Sequence, residues 1–195
     1  MIKIENKLFF LLAFLMASVV ALSNHLVQFP INYFGLKNLL TYGAFSYPVA
    51  FLITDLSNRR YGKNTAKKIV YLGFALGIFL TLHFSTNYSD LISIRIAIGS
   101  GTAFLVAQLI DVHIFDRLRK KIWFLAPLAS SLIGSSIDTF LFFSISFYGT
   151  GVNWVTLSFG DLSVKIFIAL AMLIPFRLLL YRIQEISSIN KKINV

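Results

Sequence analysis

The chain contains no cysteine, which excludes disulfides, thiolate metal sites and a cysteine nucleophile. Charge is also scarce. Only 13% of the residues are charged and eight are acidic, whereas about 25% charged residues is usual for a soluble domain. Hydrophobic residues make up 57% of the chain, and the mean hydropathy is +0.77. The composition therefore excludes an ordinary soluble domain and indicates a small helical membrane protein.

Histidine is rare as well, and its three copies are scattered. His25, His83 and His113 lack the spacing of an HExxH zinc motif. The chain has no Walker loop, no glycine-rich dinucleotide turn and no G-x-S-x-G elbow around its serines. We therefore expect no metal, no cofactor and no enzymatic activity. The net charge of +10 is first a topology signal in a membrane chain, so we expect no nucleic-acid partner.

Six apolar stretches are candidates to cross the ~30 Å hydrocarbon layer, which takes about 20 helical residues. They cover approximately residues 8–24, 39–56, 69–84, 91–110, 122–147 and 162–181. The third is the shortest. The first resembles a signal peptide, but an uncleaved span gives a consistent charge pattern. The sequence thus predicts an all-α membrane protein: a bundle of six transmembrane helices forming a single transporter domain over residues 1–195.

Most basic residues lie in the N-terminus, the segments after the second and fourth stretches, and the tail. They are Lys3, Lys7, Arg59, Arg60, Lys63, Lys67, Lys68, Arg117, Arg119, Lys120, Lys121, Arg182, Lys191 and Lys192. The alternate loops are nearly bare, with Lys37, Asp90 and Asp161. Positive charge stays on the cytoplasmic side, so this pattern predicts that both termini are cytoplasmic.

The fifth stretch carries a polar stripe and is the predicted organising element. On a helix, Ser131, Gly134, Ser135 and Asp138 fall at i, i+3, i+4 and i+7, which is one face. A carboxylate near the middle of a bilayer costs about 2.5–3.5 kcal/mol on insertion scales, and such residues face a partner or a cavity. The stripe therefore predicts the wall of a site within the membrane.

Two basic residues compete as the partner of Asp138. Arg95 in the fourth stretch and Lys165 in the sixth lie about one turn inside the outer end of their helices. The alternative is that the side chains of Arg95 and Lys165 extend toward the outer membrane interface, as long basic side chains commonly do. For Asp138 the alternative to a substrate contact is a structural buried ion pair.

Another set of polar residues lies at the inner ends of the helices. Asp55 closes the second stretch with Arg59 one turn beyond, and Gln108 and Asp111 are spaced i, i+3 near the end of the fourth. These acids alternatively pair with arginines at the headgroup level. Small residues over 99–103 predict close helix packing. A compact bundle with these features indicates a small transporter or a membrane receptor for a small solute.

Three segments carry a family resemblance: Thr54–Gly62 (TDLSNRRYG), Ile110–Arg119 (IDVHIFDRLR) and Ser130–Gly149 (SSLIGSSIDTFLFFSISFYG). In this order and spacing, the chain resembles the bacterial queuosine precursor transporter family, also described as the VUT family. The resemblance implies a cell inner-membrane importer of 7-cyano-7-deazaguanine and 7-aminomethyl-7-deazaguanine, salvaged for tRNA queuosine. The polar positions it carries over are Asp55, Asn58, Arg59, Asp111, Asp116, Arg119, Ser131, Ser135, Asp138 and Thr139.

A deazaguanine presents two adjacent N–H donors and a carbonyl on a flat ring. One carboxylate can accept from both donors, and an amide or arginine can donate to the carbonyl. We expect Asp138 to accept the donor pair, with Asp111 as the alternative. The other expected substrate-binding residues are Ser131, Ser135 and Thr139, the donors Arg95 and Gln108, the inner-end pair Asp55 and Arg59, and the stacking rings Tyr47 and Phe142.

Several alternatives stay open from the sequence. Transport is facilitated, proton-linked, or driven by an ATPase partner, as for the substrate-binding subunit of an energy-coupling-factor transporter. The solute is a deazaguanine, another purine-like compound or a vitamin. A scaffold or assembly factor without transport is the competing class. Besides its small-molecule substrate and the lipid bilayer, the chain has either no partner, a second copy of itself or that ATPase. Pro48, Pro127 and Pro175 are candidate hinges.

Overall fold

The computed structural model describes residues 2–33, 40–84 and 86–193, with side chains from residue 7 to residue 181 of these. This part of the chain contains six α-helices and no strand beyond an isolated bridge between Pro30 and Thr41. The all-α prediction is confirmed. The helices are α1 (Ile2–Leu26), α2 (Gly43–Tyr61), α3 (Lys63–Phe84), α4 (Leu91–Leu118), α5 (Leu125–Phe147) and α6 (Trp154–Ile193).

Five of these helices are long and apolar enough to cross a membrane: α1, α3, α4, α5 and α6. The third predicted span, the shortest from sequence, is therefore a full-length candidate that begins at Lys63. The exception is α2. It contains buried Thr54, Asp55 and Asn58, and these polar side chains lower its hydropathy.

The central position of α2 explains why it can be so polar. It contacts each of the other five helices. Its buried residues occupy successive positions along the helix, from Gly43 and Ala44 to Ser57 and Asn58, so little of its surface is left for lipid. A helix enclosed by protein needs no apolar outer face. The bundle is therefore arranged around α2, and the predicted organising stretch on α5 packs beside it.

Several helices extend beyond the predicted spans. α2 continues to Tyr61 and α3 begins at Lys63, so the expected 57–68 loop reduces to Gly62, whose φ of 82° suits glycine. α4 continues past residue 110 and includes Asp111. α6 begins at Trp154, before the predicted residue 162, and includes Asp161, which the sequence had suggested was a loop residue. These two acids are consequently helical and buried.

Glycines set the closest helix contacts. A Cβ on Gly73 of α3 would lie 2.4 Å from Met16 Cγ of α1, and one on Gly134 of α5 would lie 2.6 Å from Phe51 Cε1 of α2. A Cβ on Gly99 of α4 would lie 2.4 Å from Ser146 Oγ of α5. The small residues of α4 therefore allow the predicted close packing.

The three membrane prolines differ in their effect. Pro48 and Pro175 lie inside α2 and α6, where each lacks the N–H that would close a helical hydrogen bond. Pro127 lies in the first turn of α5, where the N–H has no helical partner in any case. The candidate hinge at Pro127 therefore lies at the start of α5 rather than inside it.

Replacing Gly73 with valine is expected to separate α1 from α3 and to lower the free energy of unfolding by about 1–3 kcal/mol, the usual cost of overpacking. The matched control is Ala75→Leu, which adds the same number of carbon atoms to an exposed position of α3. Thermal unfolding in detergent would compare the two. Equal midpoints for both variants would contradict the close α1–α3 contact.

Candidate functional site

The first polar group lies where α2, α4 and α5 meet. Asp55 of α2 is buried and accepts hydrogen bonds from two α5 serines: Ser130 Oγ at 3.2 Å and Ser131 Oγ at 3.5 Å. Asp111 of α4 is also fully buried and lies close enough to Asp55 for the two carboxyl groups to interact. Two adjacent buried acids repel each other when both are charged. A ligand with neighbouring N–H donors, or a proton, would relieve that repulsion.

Several buried polar atoms in this group make no hydrogen bond of ordinary geometry, although their neighbours are polar. Thr54 Oγ1 donates to Gln108 Oε1 at 2.5 Å, and Asn58 Nδ2 donates to the carbonyl of Val112 at 2.9 Å. The unpartnered buried atoms are both carboxylate oxygens of Asp111, Gln108 Nε2, Asn58 Oδ1 and Ser135 Oγ. Leaving such an atom unpaired costs about 1–3 kcal/mol. Buried donors and acceptors left free in one region are available to bound water or to a ligand.

A cavity between α2, α5 and α6 adjoins this group. Asp55, Ser131 and Ser135 supply its polar wall, and Phe51 and Phe176 are among the apolar residues that line the rest. Its volume of about 10 Å³ leaves room for no more than about one water molecule. A bicyclic base is much larger, so this conformation is closed, and the helices that line the cavity must separate to admit one.

The second polar group is a buried ion cluster between α5 and α6. Lys165 Nζ contacts Asp138 Oδ2 at 2.8 Å, Asp161 Oδ2 at 2.7 Å and Thr139 Oγ1 at 3.1 Å. Thr139 in turn donates to Asp161 Oδ2 at 2.9 Å. All four residues are at most 3% exposed. Of the two partners considered for Asp138, Lys165 is the one found, and the idea that Lys165 extends to the interface is wrong.

Tyr47 of α2 connects this cluster to the first helices. Lys165 Nζ lies 5.0 Å from the centre of the Tyr47 ring, a cation–π distance. The Tyr47 hydroxyl bonds Asn24 Oδ1 of α1 at 2.7 Å and Ser100 Oγ of α4 at 2.6 Å. Asn24 also donates to Thr81 Oγ1 of α3 at 2.9 Å. A continuous polar network thus reaches from α6 to α1 and α3.

Three expected site residues lie apart from both groups. Arg95 donates to the carbonyls of Ile145 and Tyr148, each at 2.8 Å, and so caps the last turn of α5. Phe142 packs in an apolar cluster with Phe143. Arg59 donates to the backbone carbonyl of Arg119 at the α2–α3 end of the bundle. The structure therefore brings none of these three to the cavity.

Pairing of acids with arginines, the alternative for the inner-end group, applies to one acid. Among the described side chains, the only such pair is Asp116 with Arg119, at 3.3 Å. Asp55 instead accepts hydrogen bonds from two serines and lies beside Asp111. Their position indicates a site within the bundle rather than a contact that holds loops together.

Comparison with known proteins identifies the family. The family model "Putative vitamin uptake transporter" matches residues 41–180. The chain belongs to this family. It is 34% identical over 193 residues to the "Probable queuosine precursor transporter" of Haemophilus influenzae, covering 84% of this chain and 82% of that one. It is 33% identical to the "Queuosine precursor transporter" of Escherichia coli, covering 88% of each chain. No solved structure matches the chain.

The family match covers both polar groups. Residues 41–180 contain α2 to α5 and the membrane part of α6, whereas Asn24 lies outside. The apolar helices and the family together make the chain a multi-pass membrane protein. Within the described residues, no cluster of three or more histidine or acidic side chains is arranged to hold a metal.

Sequence reasoning missed some members of the two groups. Asp161 shares a face of α6 with Lys165 at i, i+4, and this spacing is visible in the sequence once α6 is extended toward its start. Ser130 lies next to the recognised stripe residue Ser131. Asn24 and Ser100 have no such signal, because only tertiary packing brings them to Tyr47.

Proposed function

We propose that this chain imports queuosine precursors, 7-cyano-7-deazaguanine and 7-aminomethyl-7-deazaguanine, across the bacterial inner membrane. Two relatives that match most of this chain are named for this activity, which supports the proposal. The structural observation that carries it is the set of buried, unpartnered polar atoms where α2, α4 and α5 meet. These atoms supply the hydrogen-bonding groups that a guanine-like edge requires.

The Asp55–Asp111 pair is the proposed reader of the base. The free oxygens of Asp111 accept the N1–H and the exocyclic amine, while Gln108 Nε2 donates to the carbonyl. Phe51 and Phe176 line the adjoining cavity and can cover the ring faces. Each substrate group thereby replaces a hydrogen bond that it loses on leaving water.

This assignment differs from the sequence expectation, which favoured Asp138 with Tyr47 or Phe142 as stacking rings. Asp138 already accepts from Lys165, and the Tyr47 ring faces the same ammonium. A group committed to an ion pair must give up that contact before it can bind substrate. Asp111 has no such contact to lose, and therefore fits the role better.

The proposed topology has six spans with both termini cytoplasmic, in one transport domain. α2 serves as the sixth span because its neighbours enclose it. The basic residues at its end and after α4, such as Arg60 and Lys120, then face the cytoplasm, as the positive-inside rule requires. Cysteine labelling from each side of the membrane, on this cysteine-free chain, tests the orientation directly.

A bacterial strain unable to synthesise queuosine precursors, carrying this chain as its only importer, tests the function. With 7-cyano-7-deazaguanine supplied, we expect queuosine in tRNA with the parent chain and none with an empty vector. The E. coli relative serves as the positive control. Absence of queuosine, with the chain present in the membrane and the control active, would contradict the proposal. Competition by purines and vitamins measures specificity.

A further inference from the structure

The ion cluster of Asp138, Asp161 and Lys165 has one more acid than base. The ammonium of Lys165 has three N–H donors, and its three contacts within hydrogen-bonding distance are the two carboxylates and Thr139. Fully ionised, the cluster carries a net charge of −1. Its residues are at most 3% exposed, so water contributes little to stabilising that charge.

Among the described residues, no second cation contacts the cluster. α6 packs on α5 and α2, and its Val164 also packs against Ile31 and Leu40, which precede α2. The charged group that α5 contributes is Asp138, a member of the cluster. From α2, Tyr47 faces Lys165, and the Tyr47 hydroxyl is already bonded to Asn24 and Ser100. One bound proton on either carboxylate makes the cluster neutral, and Lys165 then pairs with the other carboxylate.

The cluster and the cavity lie along the same seam between α5 and α6. Asp138 is one helical turn from Ser135, and Lys165 is one turn from Ala169. Ser135 and Ala169 both line the cavity. An opening of this seam that admits substrate therefore also changes the surroundings of the carboxylates. Intramembrane acids placed in this way act as proton carriers in transporters.

We propose that the Asp138–Lys165–Asp161 cluster is a proton-binding site that couples precursor import to inward proton movement. The inference rests on the proposed function. The proton binds one carboxylate from the outer side together with substrate and leaves on the inner side. Asp55 and Asp111, on α2 and α4, remain the substrate acids in this scheme.

The test uses the full chain in sealed, ATP-free lipid vesicles with the membrane potential clamped at zero. Two readouts are measured with 7-cyano-7-deazaguanine, which is uncharged: exchange of labelled for unlabelled substrate at equal pH, and accumulation under a gradient of one pH unit, acidic outside. For one proton per substrate, we expect the parent chain to accumulate about tenfold. Asp161→Asn leaves a neutral Lys165–Asp138 pair, and we expect it to exchange but not accumulate.

Asp116→Asn, the same chemical change at a partly exposed acid, is the control and should accumulate like the parent. Exchange by the parent without accumulation would overturn the coupling while leaving the transport function intact. Accumulation by Asp161→Asn equal to the parent would assign the proton to another site and overturn the inference. Absence of both exchange and accumulation in the parent would overturn the proposed function and this inference with it.

Discussion

Asp111→Asn is expected to weaken binding of 7-cyano-7-deazaguanine by about 10- to 100-fold. The carboxylate of Asp111 is buried with both oxygens unpartnered, and the proposed substrate offers it two N–H donors. Asparagine keeps the shape but replaces one acceptor oxygen with an NH₂ group, which opposes a substrate donor. Losing a hydrogen bond to a charged group costs about 1.5–3 kcal/mol, and 1.4 kcal/mol corresponds to a factor of ten.

Calorimetry on the purified protein in detergent measures this change, and thermal unfolding checks that the variant is folded. Asp116→Asn is the matched control, because Asp116 pairs with Arg119 at the end of the bundle. Measuring Asp138→Asn in the same way shows whether Asp111 or Asp138 binds the N–H donors of the base. If Asp138→Asn lost the affinity while Asp111→Asn kept it, the reader would be Asp138, as the sequence alone suggested.

Lys165→Met is expected to lower the free energy of unfolding by about 3–5 kcal/mol, the usual cost of removing one partner from a buried ion pair. That is a large share of the roughly 5–15 kcal/mol that stabilises a typical native protein. The variant leaves Asp138 and Asp161 buried with no cation. The loss should shrink at acidic pH, because protons then neutralise both carboxylates.

Thermal unfolding across a pH series measures the effect, with the exposed Lys120→Met as the control. The triple variant Lys165→Met, Asp138→Asn, Asp161→Asn removes every charge of the cluster, and we expect it to regain most of the lost stability without regaining coupled transport. A Lys165→Met protein as stable as the parent at neutral pH would mean that the cluster contributes nothing to the fold.

The α5 stripe was predictable because its signal is local. Helical periodicity alone puts Ser131, Gly134, Ser135 and Asp138 on one face, and all four are buried. The candidates for the partner of Asp138 were likewise few, because intramembrane basic residues are rare. Choosing Lys165 over Arg95 required the structure, since the choice depends on which helix packs against that face of α5.

The contents of the cavity region were harder to predict. Hydropathy placed Asp161 in a loop because the preceding turn of α6 contains Ser158 and Gly160, and a window average ends a span where small polar residues accumulate. The meeting of Asp55 with Asp111 and Ser130 joins three helices. A single sequence has no periodic pattern that predicts contacts between residues of three different helices. The sequence could therefore only narrow the proposed base-binding acid to Asp138 or Asp111.

The enclosure of α2 has a consequence for how the chain enters the membrane. Thr54, Asp55 and Asn58 are shielded by contacts with α4 and α5, which are synthesised after α2. An acid in a lone membrane helix costs up to about 2.5–3.5 kcal/mol on insertion scales, the value at the helix centre. The second helix is therefore held in its final position only once later helices have emerged. Membrane insertion of α2 and assembly of the proposed substrate site thus both depend on α4 and α5.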